Sequence, residues 1–509
     1  MHNSEHPTGR ATRHIGTRVP GGQLGDLVAA RRRTVIGTQP TVTGTQLVGH
    51  GQRFIVAVIP AHNEETHISA CLSSVHRQFR PPDLVIVVAD NCTDGTVAEA
   101  VAAGAVVVET VDNTDRKAGA LNFALNRILE HLDDDDAALL MDADTELGDE
   151  FLAIASFRLA DRSDPRVVGG VGGIFVGSRH LTDEDGRWSM VRHLQHNEYL
   201  RYARHLARRQ GRALVLTGTG TLFRVGAFRD VVRARRDGRL PDEGGTGSVY
   251  DTASLTEDNE LTLSLKRLGY RTLSPRQCLL YTAMMPSVGR LFEQRRRWQR
   301  GALENLGSHG LGRTTTPYLL RQIGTYLGVI FLPLYLVTLT TTLVKFGSVD
   351  WFHPLWVTVA VTYLVEQAWS VRRGGWRSVG VSLAVLPELW HTVLLNWVYT
   401  VSLFGVITAS GERWGRGVDE RAIENLVPGG DGHHCGGIDP DATAEVLSGS
   451  HDVTQWWRIA LAPIVAVFAL GLIVAVPLVA LSVAWTAVAV FVLAGFVLTV
   501  LRLLPLPTR

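Results

Sequence analysis

Cysteine is scarce in this chain: Cys71, Cys92, Cys278 and Cys435 are the only four in 509 residues, and no two form a CxxC pair. That spacing excludes a disulfide ladder and points to a reducing compartment. An excess of charge is missing too. A formal net charge of +1, with no zinc-finger spacing and no aromatic-basic repeat, argues against a nucleic-acid partner. The first 50 residues hold neither the apolar core of a signal peptide nor a membrane-spanning helix. The soluble part is therefore expected to stay on the side where it is made. No dinucleotide loop is present either, since Gly169-Gly170-Val171-Gly172-Gly173 is not GxGxxG and lacks a strand-to-helix setting.

What is present is unevenly distributed. Most of the charge lies before Pro317, and behind it come long apolar runs. Residues 1–50 are rich in Gly, Thr, Arg and His without periodicity and read as a disordered basic tail, with Arg31-Arg32-Arg33 as a solvated run. From Phe54, short β-branched runs alternate with helical periodicity, which predicts a parallel sheet covered by helices. The strands are expected at Phe54 to Ile59, Leu84 to Ala89, Ala105 to Val108 and Ala137 to Met141. Ligands of open α/β sheets bind beyond the carboxyl ends of strands, where Asp90 and Asp142 fall.

Several residues suit chemistry. Asp142 and Asp144 are two apart on what reads as an extended segment, so both carboxylates face one side and offer hard oxygen ligands to Mg²⁺ or Mn²⁺. Asp133 to Asp136, just before them, reads as a solvated loop. Lys117 opens a helix where Gly119 permits close backbone approach. Asp90 and Asp94 flank a turn-rich connection and can accept from a nucleoside. Thr256-Glu257-Asp258 opens a helix with Leu261, Leu265 and Leu268 on one face and Gly269 at its end. Gln294, Arg297 and Trp298 share one helix face. His62, His67 and His433-His434-Cys435 read as ordinary loop or packing residues.

The order Asp90, Asp142-Ala143-Asp144, Thr256-Glu257-Asp258, Gln294-x-x-Arg297-Trp298 resembles that of membrane-embedded family 2 glycosyltransferases, among them cellulose, chitin, hyaluronan and poly-N-acetylglucosamine synthases. The likeness extends to Ile59-Pro60-Ala61-His62-Asn63-Glu64-Glu65, Lys117-Ala118-Gly119-Ala120-Leu121-Asn122 and Leu268-Gly269-Tyr270-Arg271. It implies an α/β GT-A (Rossmann-like) catalytic domain with an α-helical transmembrane region. It also implies a UDP-sugar donor gripped by Asp90, Lys117 and Asp142, a Mg²⁺ or Mn²⁺ ion on Asp144, and Asp258 as the catalytic base. A carbohydrate acceptor would be held by Glu257, Gln294, Arg297 and Trp298, with Thr217 and Gly218 resembling the acceptor-side loop. One base without a nucleophilic partner implies inversion. The implied product is a β-linked polysaccharide passed across a bacterial inner membrane. The rivals are transfer of a single sugar to a lipid or small acceptor, and a non-catalytic nucleotide-sugar-binding membrane protein.

The resulting division is a tail over 1–50, a catalytic domain over 51–312, transmembrane and interfacial helices over 313–410, a cytoplasmic loop over 411–456 and a hairpin over 457–509. Leu319 to Val344 and Leu355 to Trp369 read as spans, and Arg372, Arg373 and Arg377 mark the next connection as cytoplasmic. Val379 to Ala409 carries Glu388 and His391, and a carboxylate at a helix centre costs on the order of 3 kcal/mol in a bilayer. It is expected to be an interfacial or re-entrant helix followed by a short apolar stretch. Arg413, Arg416 and Arg421 place Gly411 to Gln455 on the cytoplasmic side, where Glu412 to Gly417 resembles a gating loop. Ile459 to Leu481 and Ala484 to Leu504 form the final pair of spans.

Overall fold

A computed structural model of the chain describes residues 16–37, 54–177, 188–209, 211–347 and 354–407. The expected 411–456 loop, the two apolar runs behind it and His433-His434-Cys435 lie outside the described residues. The chain divides into two compact units, the first comprising Met1–Arg290, Glu304–Leu319 and Trp369–Gly380.

The first unit opens with β1 (Thr17–Arg18), α1 (Leu24–Gly37), β2 (Ile55–Ala61), α2 (Ile68–His76), β3 (Leu84–Ala89), α3 (Thr96–Ala102), β4 (Val106–Glu109), α4 (Arg116–Ile128) and β5 (Ala137–Met141). It continues with β6 (Glu146–Leu147), α5 (Phe151–Leu159), β7 (Val168–Gly172), β8 (Ile174–Phe175), α6 (Met190–Arg208), β9 (Gly220–Arg224), α7 (Val225–Arg236), α8 (Glu257–Arg267), β10 (Arg271–Leu273) and β11 (Leu279–Tyr281). Eight strands form one sheet in the order β1-β4-β3-β2-β5-β9-β7-β10. Its centre is parallel, as the near-continuous apolar strands predict, but β9 runs antiparallel to both β5 and β7. The sheet is mixed, a correction to the all-parallel expectation.

Alternation along β2 splits the core in two. Val56 and Val58 pack with Leu121 and Leu125 of α4 and Phe228 of α7, whereas Ile55, Ala57 and Ile59 face Leu72 of α2 and Phe151 of α5. Truncating one such leucine to alanine costs about 2–5 kcal/mol. Gly169 to Gly173 run through and just past β7, with Leu216, Phe223, Tyr270 and Leu280 filling the space beside them, so they form no phosphate loop.

One polar stretch departs from expectation, and a second does so at a single residue. Residues 16–37 are ordered: β1 pairs with β4, and Leu24 and Val28 of α1 are buried. Arg31 donates to the Asp83 carbonyl at 3.1 Å, and Arg32 pairs with Asp136 at 2.5 Å and with Asp133. Asp133, Asp134 and Asp135 stay exposed, as a solvated loop should, while pairing with arginines, and only Asp136 is buried. Asp134 pairs with Arg229 at 2.5 Å and Asp135 with Arg224, while the buried Asp136 accepts from the Phe54 N–H at 3.1 Å.

The second unit comprises Leu291–Leu303, Leu320–Ala368 and Val381–Arg509. It takes in the middle of α9 (Val288–His309), most of α10 (Thr316–Phe346) and α11 (Pro354–Val371), and, after α12 (Gly375–Leu383), the helix α13 (Val385–Ile407). Among the described residues two helices are long and apolar enough to cross a membrane, α10 and Val385–Val406 of α13. Residues 379–409 hold the end of α12 and then α13, one unbroken helix over residues 385–407. The helix is continuous because Glu388 and His391 are buried on the same face as Leu394, Val398 and Ser402, so the polar groups are sheltered and the helix does not break. Helix α11, expected as a span, has 18 residues and is not among the two.

Candidate active site

The carboxyl ends of β2, β3 and β5 supply the site. Among the described residues four non-glycines adopt left-handed backbone, Asn63, Asn91, Asp112 and Arg116, and all follow strands β2, β3 or β4 on this edge. Strain of this kind persists only where surrounding structure enforces it. Asp90, at the end of β3, is buried; Thr110 Oγ1 donates to its carboxylate at 2.6 Å and Asn113 Nδ2 to both oxygens at 2.9 Å. His62 Nδ1 donates to its carbonyl at 2.6 Å, a loop role. Asp94 is committed to Thr96 and the Glu65 N–H, so it serves the turn. A cavity of about 350 Å³ adjoins this wall, lined by Asp115 and by polar groups including Thr110, Asn113, Asn122, Asn126 and Ser248.

Lys117, at the start of α4, stands at the centre. Its Nζ lies 2.6 Å from Asp142 Oδ1, 3.3 Å from Glu257 Oε1 and 3.3 Å from the Gly218 carbonyl oxygen, to which it donates. Burial works against the ammonium, but Asp142 and Glu257 outweigh it and raise its pKa. The Gly218 N–H in turn donates to Asp258 Oδ2 at 3.0 Å, and the Asn259 N–H to Asp258 Oδ1 at 2.8 Å. A Cβ at 218 would lie 3.0 Å from Lys117 Nζ and 3.3 Å from Asp258 Cβ, so any side chain there would crowd both. Thr217 accepts from Thr221 through its carbonyl and turns its own hydroxyl to the Gly220 carbonyl.

Burial, then the charge of Glu257, pushes the Asp258 carboxyl up to about 6, with Lys117 pulling the other way. Burial also raises Asp142 to about 6 against the pull of Lys117, with Asp144 adding to the rise. Asp144 is raised by burial and by Glu64. The Asp-Ala-Asp segment is a turn, with the Thr145 N–H bonded to the Asp142 carbonyl at 3.3 Å, rather than the extended segment expected. The two still form one acidic patch, since the charge of Asp144 helps to raise Asp142. Among the described residues no group of three or more His, Cys, Asp and Glu is arranged as a metal cage. Two hard oxygen donors, both raised chiefly by burial, suit a divalent cation that completes its shell on a diphosphate and water.

Gln294, Arg297 and Trp298 lie on α9 in the second unit. Arg295 is buried with its guanidinium 4.3 Å over the Trp298 ring, and donates to Gln294 Oε1 at 2.9 Å. Sequence reasoning missed Thr110 and Asn113 around Asp90, and the buried Glu260, which ties α8 to Arg235 and to His309 at 3.2 Å. Glu260 carries one signal, a charge on the apolar side of its helix.

Residues 52–301 match the glycosyltransferase like family 2 domain. This part of the chain is a family 2 glycosyltransferase. A 73-residue stretch is 41% identical to 4,4'-diaponeurosporenoate glycosyltransferase of Staphylococcus aureus (strain N315), covering 14% of this chain and 19% of that one. Over 261 residues the glycosyltransferase is 21% identical to poly-beta-1,6-N-acetyl-D-glucosamine synthase of Staphylococcus epidermidis, covering 49% and 54%. It thus spans about a fifth of the first relative and about half of the second. Among solved structures, the mannosyltransferase PcManGT from Pyrobaculum calidifontis, in complex with GDP-Man and Mn²⁺, is 16% identical with a TM-score of 0.36, over 89% of this chain and 99% of that one. The eight-stranded α/β sheet is the fold that the motif order implied, and the charged cluster lies beyond the carboxyl ends of its strands, where that fold class gathers ligands.

Proposed function

We propose that the enzyme transfers a sugar, with inversion, from a UDP-sugar to a growing β-linked polysaccharide at the cytoplasmic face of a bacterial inner membrane, coupled to export. The observation that carries the reading is the division of labour among the carboxylates. Asp142 and Glu257 are tied to Lys117, whereas Asp258 accepts only from backbone N–H groups and retains lone pairs for a proton. As its carboxylate takes the acceptor hydroxyl proton, the acceptor oxygen bonds to the anomeric carbon and the bond to the diphosphate breaks. Lys117 and Asp90 hold the departing nucleotide. A divalent cation, Mg²⁺ or Mn²⁺, held by Asp144, would offset the charge on the diphosphate. Glu257, Thr217, Gly218, Gln294, Arg297 and Trp298 serve the acceptor by resemblance. UDP-N-acetylglucosamine and UDP-glucose are the donors to test first.

Membrane residence is supported by α10 and α13.

The local 41% identity to an enzyme named for 4,4'-diaponeurosporenoate favours a second reading, transfer of one sugar to a small or lipid acceptor. Incubating membranes with a panel of UDP-sugars, measuring UDP release and sizing the product separates the two. Polymer supports the first reading and a single addition the second. No UDP release from any donor overturns both.

A further inference from the structure

The geometry points to Lys117 as a built-in countercation that occupies Asp142 until the nucleotide arrives, so that the divalent cation is taken up with the nucleoside diphosphate and not ahead of it. This rests on the reading of the site as a metal-assisted nucleotide-sugar transferase.

Four carboxylates, Asp142, Asp144, Glu257 and Asp258, share the field of this one ammonium. Its Nζ does not sit midway among them; it closes on Asp142 at 2.6 Å, the carboxylate two residues from the expected metal ligand. Glu257 at 3.3 Å and the Gly218 carbonyl at 3.3 Å complete its shell of acceptors. A bare dication approaching this end of β5 therefore meets a seated positive charge, and like charges a few ångströms apart repel strongly at the low effective dielectric of a partly buried site. A diphosphate alone meets the opposite obstacle, an excess of carboxylates. The metal–diphosphate complex meets neither. Its phosphate oxygens offer the ammonium new partners, and the flexible four-carbon stem of lysine lets Nζ move to them and release Asp142. Gly218 keeps the seat open, because a Cβ there would lie 3.0 Å from Nζ. Metal and nucleotide are then linked through one side chain, and the linkage is reciprocal.

The test uses the full-length protein in detergent, with Mn²⁺ binding read from the electron paramagnetic resonance of free Mn²⁺, with and without UDP. UDP should tighten Mn²⁺ binding to the wild type by about tenfold or more. Lys117→Met should bind Mn²⁺ about tenfold more tightly than the wild type when UDP is absent, and UDP should then add less than about threefold. Lys117→Arg, which keeps the charge, should stay near the wild type. Gly218→Ala, which crowds the ammonium, should shift in the direction of Lys117→Met by a smaller factor, and it serves if Lys117→Met does not fold. Unchanged or weaker Mn²⁺ binding by both Lys117→Met and Gly218→Ala without UDP overturns the countercation role, even if the wild type couples the two ligands. A wild type that binds no Mn²⁺ even with UDP sinks the metal-assisted reading itself.

Discussion

Gly218 and Asp258 are joined by a backbone hydrogen bond: the N–H of the glycine meets Oδ2 of the carboxylate at 3.0 Å, while the glycine carbonyl accepts from Lys117. One peptide segment before β9 thus aims the proposed base and seats the nearest cation. Asp258→Asn keeps the shape of the side chain and an acceptor for this bond but cannot take a proton. Transfer should fall by about 10²- to 10⁴-fold, the usual weight of a general base. UDP-sugar affinity, measured calorimetrically on the purified variant, should stay near that of the wild type. Turnover at the wild-type rate removes Asp258 from the mechanism.

The raised pKa of Asp258 sets an acid limb. A carboxyl at about 6 is ionised above that pH and protonated below it, so kcat should be flat above neutrality and decline as pH falls through 6. The sign for stability is opposite. Because the folded-state pKa exceeds that of the unfolded chain, the charged form costs stability at alkaline pH, and the cost is relieved as pH falls through 6 toward 4. Asp258→Asn should therefore melt above the wild type at pH 8, with the difference shrinking toward pH 4. A Tm difference independent of pH would contradict this account.

Removing metal should silence the enzyme. Asp144→Ala leaves a diphosphate facing Asp142, Glu257 and Asp258 with Lys117 alone as counterion, and activity should fall by on the order of 10²-fold or more. EDTA should abolish turnover of the wild type, and Mg²⁺ or Mn²⁺ should restore it. Full activity in chelator refutes the assignment of Asp144.

Trp298→Ala separates the two proposed acceptor classes. A stacked indole holding the end of a growing chain in line for attack predicts a loss of extension on the order of 10²-fold with donor binding intact. Arg295 lies over the Trp298 ring, so Arg295→Gln should show a weaker version of the same defect. Chains of normal length made at a normal rate by Trp298→Ala would leave transfer of a single sugar as the better account.

Membrane topology can be read by labelling single cysteines from outside intact cells. Positions in the Arg372 to Arg377 connection should be protected, since Asn197 Nδ2 of α6 donates to the Ser378 carbonyl within the catalytic unit. Residues 411–455 report on α13: expected inside by their arginines, they label from outside if this helix crosses. Protection there would mean that α13 does not span the bilayer.

Much of the fold was legible because its signals are local. The apolar runs of β3 and β5 stand at the predicted positions, and α8 opens at Glu257 with Leu261 and Leu265 buried, since strand and helix periods are written in neighbouring residues. The order of the acidic motifs, and with it the family, also belonged to the sequence alone. What the tertiary structure decided was pairing. Nothing near Lys117 in the chain announces that its ammonium will close on Asp142 and Glu257, or that the acidic run before β5 will be met by Arg32, Arg224 and Arg229. The same holds for α1, whose arginines find their partners on distant segments. Burial decided the rest: it raised the Asp142 and Asp258 carboxyls and gathered Glu388 and His391 on the sheltered face of α13, because the cost of a charge depends on what surrounds it in space and not on what precedes it in the chain.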